Sequence, residues 1–241
     1  MFGISEWEFF WALPHGSTVV VAPSQGHKDP SCIQELIMNK KITTAFFVPS
    51  MLAMLLDHLE LTNQTIAIQT IRYMFTCGEA LGPKLCNRFV KMSLSRLVNL
   101  YGPTEADMTW WEYPRHKTTV GKVPIGIPTT NVKVYILDDQ LKPVPIGVPG
   151  ELCFGGVAVA RGYINRPEMT AKCFVKNPFS TGRMYRTGDL VQWMPDGNIE
   201  FLGRKDFQIK LRGYRIELAE IESVLVNKCD GGKSSDCNFT R

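Results

Sequence analysis

A short polar segment carries residue types suited to binding a phosphorylated ligand. Its sequence is NLYGPTEA (residues 99–106), and its Gly-Pro pair imposes a tight bend directly after a hydrophobic run. Thr104 offers a hydroxyl group and Glu105 a carboxylate, and Mg²⁺ takes few carboxylates while keeping phosphate oxygens as other ligands. Tyr101 offers an aromatic face to a base ring. A structural turn with an exposed acid would contain the same residues, so this segment alone leaves both interpretations open.

Two further polar residues follow strand-like patterns later in the chain. Asp189, in YRTGDL, could accept two hydrogen bonds from a ribose diol. Arg204, in GRKD, has a guanidinium group that suits phosphate or a developing negative charge. The alternatives are a β-turn aspartate and a surface arginine, and for Arg204 taken by itself the surface position is the better interpretation.

The first half of the chain predicts the elements that would position these residues. Strand patterns alternate with helical ones and occupy residues 17–22, 42–48, 71–76 and 96–101. One helix is predicted to follow Pro49, with Ser50 as its N-cap. This alternation indicates a parallel sheet with right-handed crossovers. Ligands bind at the carboxyl ends of such strands, where the turns at 77–80 and 101–105 are expected.

The second half predicts a different architecture. VKVYILDD, GELCFGG, YRTGDLVQWM and NIEFLG indicate strands, with a turn at Pro195-Asp196-Gly197 and a helix start at 165–168. FQIKLRGYRIE alternates at period two, ELAEIESVLVNK indicates a helix, and the last residues indicate a frayed tail. We therefore predict an α/β fold, in which a parallel sheet with flanking helices precedes a distorted antiparallel β unit and the start of a small α+β C-terminal subdomain. The expected divisions are 1–117, 118–205 and 206–241.

Composition excludes several other classes of protein. The 241 residues are 44% hydrophobic and 21% charged, which is ordinary for a globular chain and unlike a disordered one. A net charge of +4 without a basic run does not suggest nucleic acid as a partner. No apolar run is long enough for a membrane span, and the N-terminus has no signal-peptide pattern. Seven cysteines without a CxxC pair predict reduced thiols in a cytoplasmic protein.

Taken together, five motifs resemble those of the adenylate-forming superfamily. They are GEAL, NLYGPTE, GELCFGGVAVARGYINRPEMT, YRTGDL and GRKDFQIKLRGYRIELAEIE, in the same order as in that family. The chain looks most like the adenylation domains of nonribosomal peptide synthetases, and RGYRIELAEIE favours this branch over acyl-CoA synthetases and luciferases. FGISEWEFFWALPHGSTVVVA is similar to the segment that lines their acid pocket. The resemblance covers nearly the whole chain.

The resemblance implies an ATP-dependent, magnesium-dependent ligase. A carboxylic (amino, hydroxy or keto) acid attacks the α-phosphorus of ATP and gives an acyl-adenylate and pyrophosphate. The phosphopantetheine thiol of a peptidyl carrier domain then takes the acyl group as a thioester. The adenylate supplies the leaving group that a free carboxylate lacks, and the enzyme contributes mainly positioning and charge stabilisation.

The resemblance also implies residue roles. The nucleotide site would comprise Gly78, Glu79, Ala80, Tyr101, Gly102, Thr104, Asp189 and Arg204. Within it, the first four would border the adenine, Asp189 would hold the ribose hydroxyls and Arg204 the ribose–phosphate end. Thr104 and Glu105 would meet phosphate and Mg²⁺, and with Arg204 they form the expected catalytic set. Asp206 would be the hinge, and residues 210–217 would swing in for the thioester step.

The acid pocket implied by the resemblance is mainly apolar and aromatic, which favours an apolar side chain on the acid. Its members would be Gly3, Ile4, Trp7, Phe47, Phe75, Cys77, Leu100, Met108 and Thr109. Relatives that activate amino acids usually have aspartate at the position of Gly3, where it pairs with the substrate ammonium. Glycine cannot do this, and an unpaired buried ammonium is costly. We therefore expect an acid without an α-amino group, or a pocket that has decayed.

Two further departures from the family pattern concern phosphate binding. The Gly- and Ser/Thr-rich phosphate loop that family members carry upstream is absent, and so is their C-terminal catalytic lysine. Losing one such donor costs about 3 kcal/mol in the transition state. The sequence is therefore expected to be a fragment, truncated at both ends, with little or no adenylation activity. The alternative is a non-catalytic remnant that at most binds nucleotide.

Overall fold

The computed structural model describes residues 3–115, 121–206, 208–211, 214–216, 218, 221, 224 and 225. Of residues 3–7, 209–211 and 215 it describes the backbone alone. The helices are α1 Gly3–Ala12, α2 Pro30–Lys40, α3 Pro49–Leu61, α4 Pro83–Met92 and α5 Pro167–Cys173. The strands are β1 Thr44–Phe47, β2 Tyr73–Thr76, β3 Arg96–Tyr101, β4 Thr109–Glu112, β5 Ile127–Pro128, β6 Lys133–Leu137, β7 Gly150–Gly155, β8 Phe174–Lys176, β9 Arg183–Trp193, β10 Ile199–Arg204, β11 Ile209–Leu211 and β12 Tyr214–Ile216.

The first sheet has the strand order β1-β2-β3-β4-β5. Strands β1, β2 and β3 run parallel, as predicted, whereas β4 and β5 add an antiparallel extension that the sequence did not indicate. Because β2 and β3 are parallel neighbours, the turns that follow them lie at one edge of the sheet. The predicted strand at residues 17–22 is wrong, since this segment lies outside every strand. Val21 there is 74% exposed, and β-branched residues form a strand only where a neighbouring strand accepts them.

Helix α3 shows why the helical face of the first sheet is well packed. Leu52, Leu55, Leu56 and Leu59 follow the spacing of one helical face, and all four are fully buried. They share a core with residues of α2, α4 and the parallel strands. The predicted N-cap at Ser50 is wrong, because the helix begins at Pro49 and its fixed φ suits the first helical position.

The second sheet is antiparallel, with the order β10-β9-β7-β6 and β8 paired to β9. The predicted turn at 195–197 is confirmed, since Met194 N–H and Asn198 O lie 2.8 Å apart across it. The predicted helix after Asn165 is also confirmed, with Pro167 at its first position. Strands β11 and β12 pair antiparallel, and residues 218, 221, 224 and 225 are helical.

Tyr101, the last residue of β3, joins the two sheets. It packs with Ile125, Leu152, Phe154 and others in the core of the second sheet, although its strand belongs to the first. Further along the chain, Ile125 and Gly126 exchange backbone hydrogen bonds with Ile199 of β10. The carboxyl end of β3 therefore lies against the second sheet.

Two register irregularities of the second sheet meet near the middle of β9. Between β7 and β9 the pairing shifts after Glu151, which lies opposite Leu190. Between β10 and β9 it shifts between Phe201 and Gly203. Such bulges interrupt the ladder and redirect side chains. Asp189 lies within the break between β7 and β9 while it stays paired with Arg204 of β10, and its carboxylate contacts Tyr101.

Among the residues that the structure describes, no helix combines the length and the apolar character that a membrane crossing requires.

Candidate functional site

The centre of the candidate site is the buried carboxylate of Asp189. Only 5% of its surface is exposed. The Tyr101 hydroxyl donates a hydrogen bond to Oδ2, and Arg204 Nη1 lies 2.6 Å from Oδ1. Three residues far apart in sequence thus converge where the two sheets meet. Asp189 and Arg204, the residues predicted to bind ribose and phosphate, therefore contact each other and lie beside Tyr101.

Arg204 also connects this centre to Asp206. Its Nε and Nη2 atoms lie 2.6 and 2.7 Å from the two carboxylate oxygens of Asp206, which is a bidentate pair. Burial lowers the pKa of Arg204, but hydrogen bonding to Asp206 and the charge of Asp189 together raise it above its usual value. The guanidinium is therefore held by two carboxylates, Asp189 of β9 and Asp206 at the predicted hinge.

The backbone of β9 just before Asp189, where the pairing with β7 is interrupted, depends on Gly188. Its φ is +73°, and a Cβ there would lie 3.0 Å from Arg204 Nη2. A side chain would therefore be strained and would also press on the guanidinium. A side chain at this position would therefore require the Arg204 guanidinium to shift by a few tenths of an ångström, in addition to the backbone strain.

Tyr101 is less available to a base ring than the sequence suggested. It is 8% exposed, its ring stacks against Phe154 with centroids 6.4 Å apart, and Phe201 packs at the same distance. Burial, followed by the charge of Asp189, raises the pKa of Tyr101 well above its usual range. The hydroxyl therefore remains a donor to Asp189 at neutral pH.

Glu105 is also buried, with 7% of its surface exposed, whereas its neighbour Thr104 is exposed. The Tyr163 hydroxyl donates to Glu105 Oε1 at 2.8 Å, and the Ala160 N–H donates to the Glu105 carbonyl at 2.9 Å. Burial and the neighbouring Tyr185 and Glu105 raise the pKa of Tyr163, so it too stays protonated. Residues 160–163, which belong to the motif GELCFGGVAVARGYINRPEMT, thus hold the Glu105 turn.

Aromatic packing links the residues that surround the two halves of the candidate site. Tyr163 packs edge-on against Phe174 with ring centroids 5.4 Å apart, and Phe174 packs against Tyr185 with centroids 5.0 Å apart. The tyrosine that holds Glu105 therefore lies beside β9, the strand that carries Asp189.

The turn after β2 lies at the same edge of the sheet. Gly78 and Glu79 are partly exposed, Ala80 is exposed, and Gly78 has a φ of +88°. The Glu79 carboxylate accepts hydrogen bonds from the backbone N–H and the hydroxyl of Ser50, at 2.9 and 3.1 Å. Glu79 thus accepts hydrogen bonds from the first turn of α3, so its side chain has a structural role at this edge of the sheet.

Only some of the predicted acid-pocket residues lie together on one face of the first sheet. Phe75, Cys77, Leu100 and Met108 form one cluster, and Trp11 of α1 contacts Phe75 edge-on with centroids 6.4 Å apart. Three of these residues, Phe75, Leu100 and Met108, border a cavity of about 260 Å³.

The other predicted pocket residues lie elsewhere or fall outside the description. Phe47 packs in the core on the helical side, and the Thr109 hydroxyl donates to the Ile125 carbonyl. The side chains of Gly3, Ile4 and Trp7 lie outside the described residues.

Comparison with known proteins decides the family. A family model described as AMP-binding enzyme matches residues 1–164, which is more than half of the chain. The chain belongs to the AMP-binding enzyme family. This is a family of adenylate-forming ligases, so the predicted enzyme class is confirmed.

Two relatives of this AMP-binding chain are much longer synthetases. Vanchrobactin synthetase VabF of Vibrio anguillarum is 47% identical over 232 residues, which are 93% of this chain and 8% of that protein. Phosphinothricin tripeptide synthetase PhsB of Streptomyces viridochromogenes is 46% identical over 234 residues, 95% of this chain and 19% of that protein. The chain therefore spans less than a fifth of either relative.

A solved structure supports the same assignment. PA1221, described as an NRPS protein containing adenylation and PCP domains, superimposes with a TM-score of 0.81 at 27% identity, over 92% of this chain and 45% of that one. The predicted fold class and the resemblance to nonribosomal peptide synthetase adenylation domains are both confirmed.

Sequence reasoning missed three residues that shape this AMP-binding fold. Phe46, not Phe47, packs on the cluster of Phe75, since the β1–β2 register pairs Phe46 with Phe75. Period-two alternation in β1 was the available signal. Tyr163 and Glu151 lie inside a recognised motif, but no local pattern indicates that their partners are 58 and 35 residues away.

Proposed function

We propose that this chain is the part of a longer synthetase that adenylates a carboxylic acid with ATP. The observation that carries the proposal is the convergence of Asp189, Arg204 and Tyr101 where the two sheets meet. In this proposal Asp189 accepts hydrogen bonds from the ribose hydroxyls. Arg204, held from behind by Asp206, presents its charge toward the phosphate that receives the acid.

Magnesium would be held by Glu105 and by the nucleotide itself. Within the described ranges, no three His, Cys, Asp or Glu side chains converge as a metal site. A single carboxylate with a neighbouring hydroxyl at Thr104 fits Mg²⁺, which takes one or two carboxylates plus substrate phosphates. When bound, the ion supplies neutralisation of the phosphate charge. The chain's own contribution is to fix Glu105 through Tyr163.

The second half-reaction would transfer the acyl group to a carrier. PA1221 contains adenylation and PCP domains, which supports a peptidyl carrier domain, bearing a phosphopantetheine thiol, as the partner. We propose Asp206 as the hinge, because it lies two residues after the end of β10 and pairs with Arg204 at the site. Residues 210–217 would then move toward the adenylate.

The substrate would be an acid with an apolar side chain and no α-amino group. The cluster of Phe75, Leu100 and Met108 is apolar and lies on the sheet face contacted by α1. Gly3, at the start of α1, has no carboxylate with which to pair an ammonium group.

ATP–pyrophosphate exchange by the full protein encoded by the gene tests the proposal. With a panel of amino, hydroxy and keto acids, we expect exchange with hydroxy or keto acids and little with their α-amino counterparts. Gly3→Asp should raise exchange with an apolar amino acid. Exchange with none of the acids would reject the adenylation function, and preference for an amino acid would reject only the substrate class. The isolated 241 residues should bind nucleotide but show little exchange, and strong exchange by them would contradict the fragment hypothesis.

Tyr163→Phe is expected to reduce exchange by the full protein about tenfold, because it removes the hydroxyl that orients Glu105. This reduction in exchange should become smaller at high magnesium concentration. A misplaced Glu105 carboxylate lowers the affinity for magnesium more than the affinity for the acid. Tyr113→Phe is the matched control, because the Tyr113 hydroxyl donates to Asn87 at 2.6 Å in the helical-side core, and this variant should leave exchange unchanged. A magnesium dependence equal to that of the wild type would contradict this role.

A further inference from the structure

The motif GELCFGG, residues 150–156, has so far entered the candidate site only through Phe154, which packs on Tyr101. Its acidic residue, Glu151 of β7, is only 3% exposed. Burying a carboxylate is costly unless charged or polar donors replace the water it loses. The donors around Glu151 therefore indicate what this side chain does.

Three residues donate hydrogen bonds to the Glu151 carboxylate. Arg186 Nη2 lies 2.6 Å and Nε 3.2 Å from Oε2, and Lys205 Nζ lies 3.4 Å from the same oxygen. The other oxygen, Oε1, accepts the backbone N–H of Gly188 at 3.2 Å. Lys205 Nζ also lies 2.7 Å from Asp139 Oδ1. The carboxylate thus connects β7, the Gly188 peptide of β9 and the residue that follows Arg204.

Gly188 is held through both of its polar backbone groups. Its N–H donates to Glu151, and its carbonyl accepts the Lys205 N–H at 2.8 Å. Glycine has the largest backbone freedom of any residue, and Gly188 adopts a φ of +73°. Fixing this peptide therefore fixes the direction in which the next residue, Asp189, projects.

We propose that Glu151 is a positioning residue for nucleotide binding and that it acts through Gly188 on Asp189. The inference rests on the proposed function, in which Asp189 binds the ribose hydroxyls. Glu151 contacts the backbone of Gly188, whereas Tyr101 and Arg204 contact the Asp189 carboxylate itself. Lys205 directly precedes the proposed hinge at Asp206. The Glu151 carboxylate therefore also holds the start of the C-terminal segment beside the part of β9 that carries Asp189.

Comparison of AMP with 2′,3′-dideoxy-AMP, by calorimetry on the 241-residue chain, tests this inference. The wild type should bind AMP more tightly, since only AMP carries the diol. Glu151→Gln keeps the shape of the side chain and should weaken AMP binding about tenfold while leaving dideoxy-AMP binding unchanged. Glu200→Gln is the control, because Glu200 also lies in the second sheet, accepts a hydrogen bond from Gln192 and is 3.8 Å from Lys122, away from Gly188.

Each outcome supports or overturns the inference. Equal weakening of both nucleotides by Glu151→Gln, or no change in either, would overturn it, because a stabilising role alone does not discriminate the diol. Equal binding of AMP and dideoxy-AMP by the wild type would reject the ribose role of Asp189, and the role of Glu151 with it. Should Glu151→Gln fail to fold, Lys205→Gln decides: a preference for AMP reduced about threefold supports the inference, and an unchanged preference overturns it.

Discussion

Asp189→Ala is expected to weaken AMP binding by the chain about 100-fold. The carboxylate would accept two hydrogen bonds from the ribose, and hydrogen bonds to charged groups contribute about 1.5 kcal/mol each or more. Arg204 should remain in place, because it keeps its bidentate pair with Asp206. Isothermal titration calorimetry with AMP measures the effect.

The matched control for this variant is Asp196→Ala. Asp196 lies in the turn that follows β9, where its carboxylate accepts the Asn198 N–H at 3.0 Å, and it is exposed. AMP affinity should be unchanged by this substitution. An Asp189→Ala chain that folds and binds AMP as tightly as the wild type would remove the basis for the nucleotide site.

Gly126→Ala is expected to cost more than about 3 kcal/mol of folding free energy. Gly126 has a φ of +87°, and a Cβ there would lie 1.8 Å from the Trp110 carbonyl oxygen and 2.7 Å from Trp111 N. These are backbone atoms of β4, which cannot move without breaking the first sheet. Left-handed strain of roughly 1–2 kcal/mol adds to this overlap.

Gly121→Ala separates these two contributions. Gly121 has a similar φ of +91°, but nothing lies within 4 Å of a Cβ placed there. It should therefore lose only the strain, roughly 1–2 kcal/mol. Urea unfolding of both variants gives the comparison, and equal losses would show that the close approach at Trp110 is unimportant.

The elements that depend on local patterns could be predicted from the sequence. Strand β3 coincides with the predicted strand at 96–101, and α5 begins at Pro167 inside the predicted helix start. The segment 17–22 shows the limit of this reasoning, because its β-branched residues have strand propensity but lie outside every strand. Whether a strand forms is decided by distant partners.

The site could be predicted as a set of residues but not as an arrangement. The polar character of Asp189, Arg204 and Glu105 was visible in sequence, and the resemblance supplied their roles. The roles of Tyr163 and Glu151 could not be predicted, because each contacts a residue far away in the chain. The bulges beside Asp189 depend on registers that no local spacing specifies.

The contact between Tyr101 and Asp189 crosses from one sheet to the other. This hydrogen bond consequently links the two halves of the chain at the place where a ligand would bind. A substitution that changes the orientation of one sheet would displace the other sheet through this contact. Substitutions that accumulate in one half of the chain would therefore have to be compensated in the other half. Grafting one half onto that of a distant homologue would most readily fail at this junction.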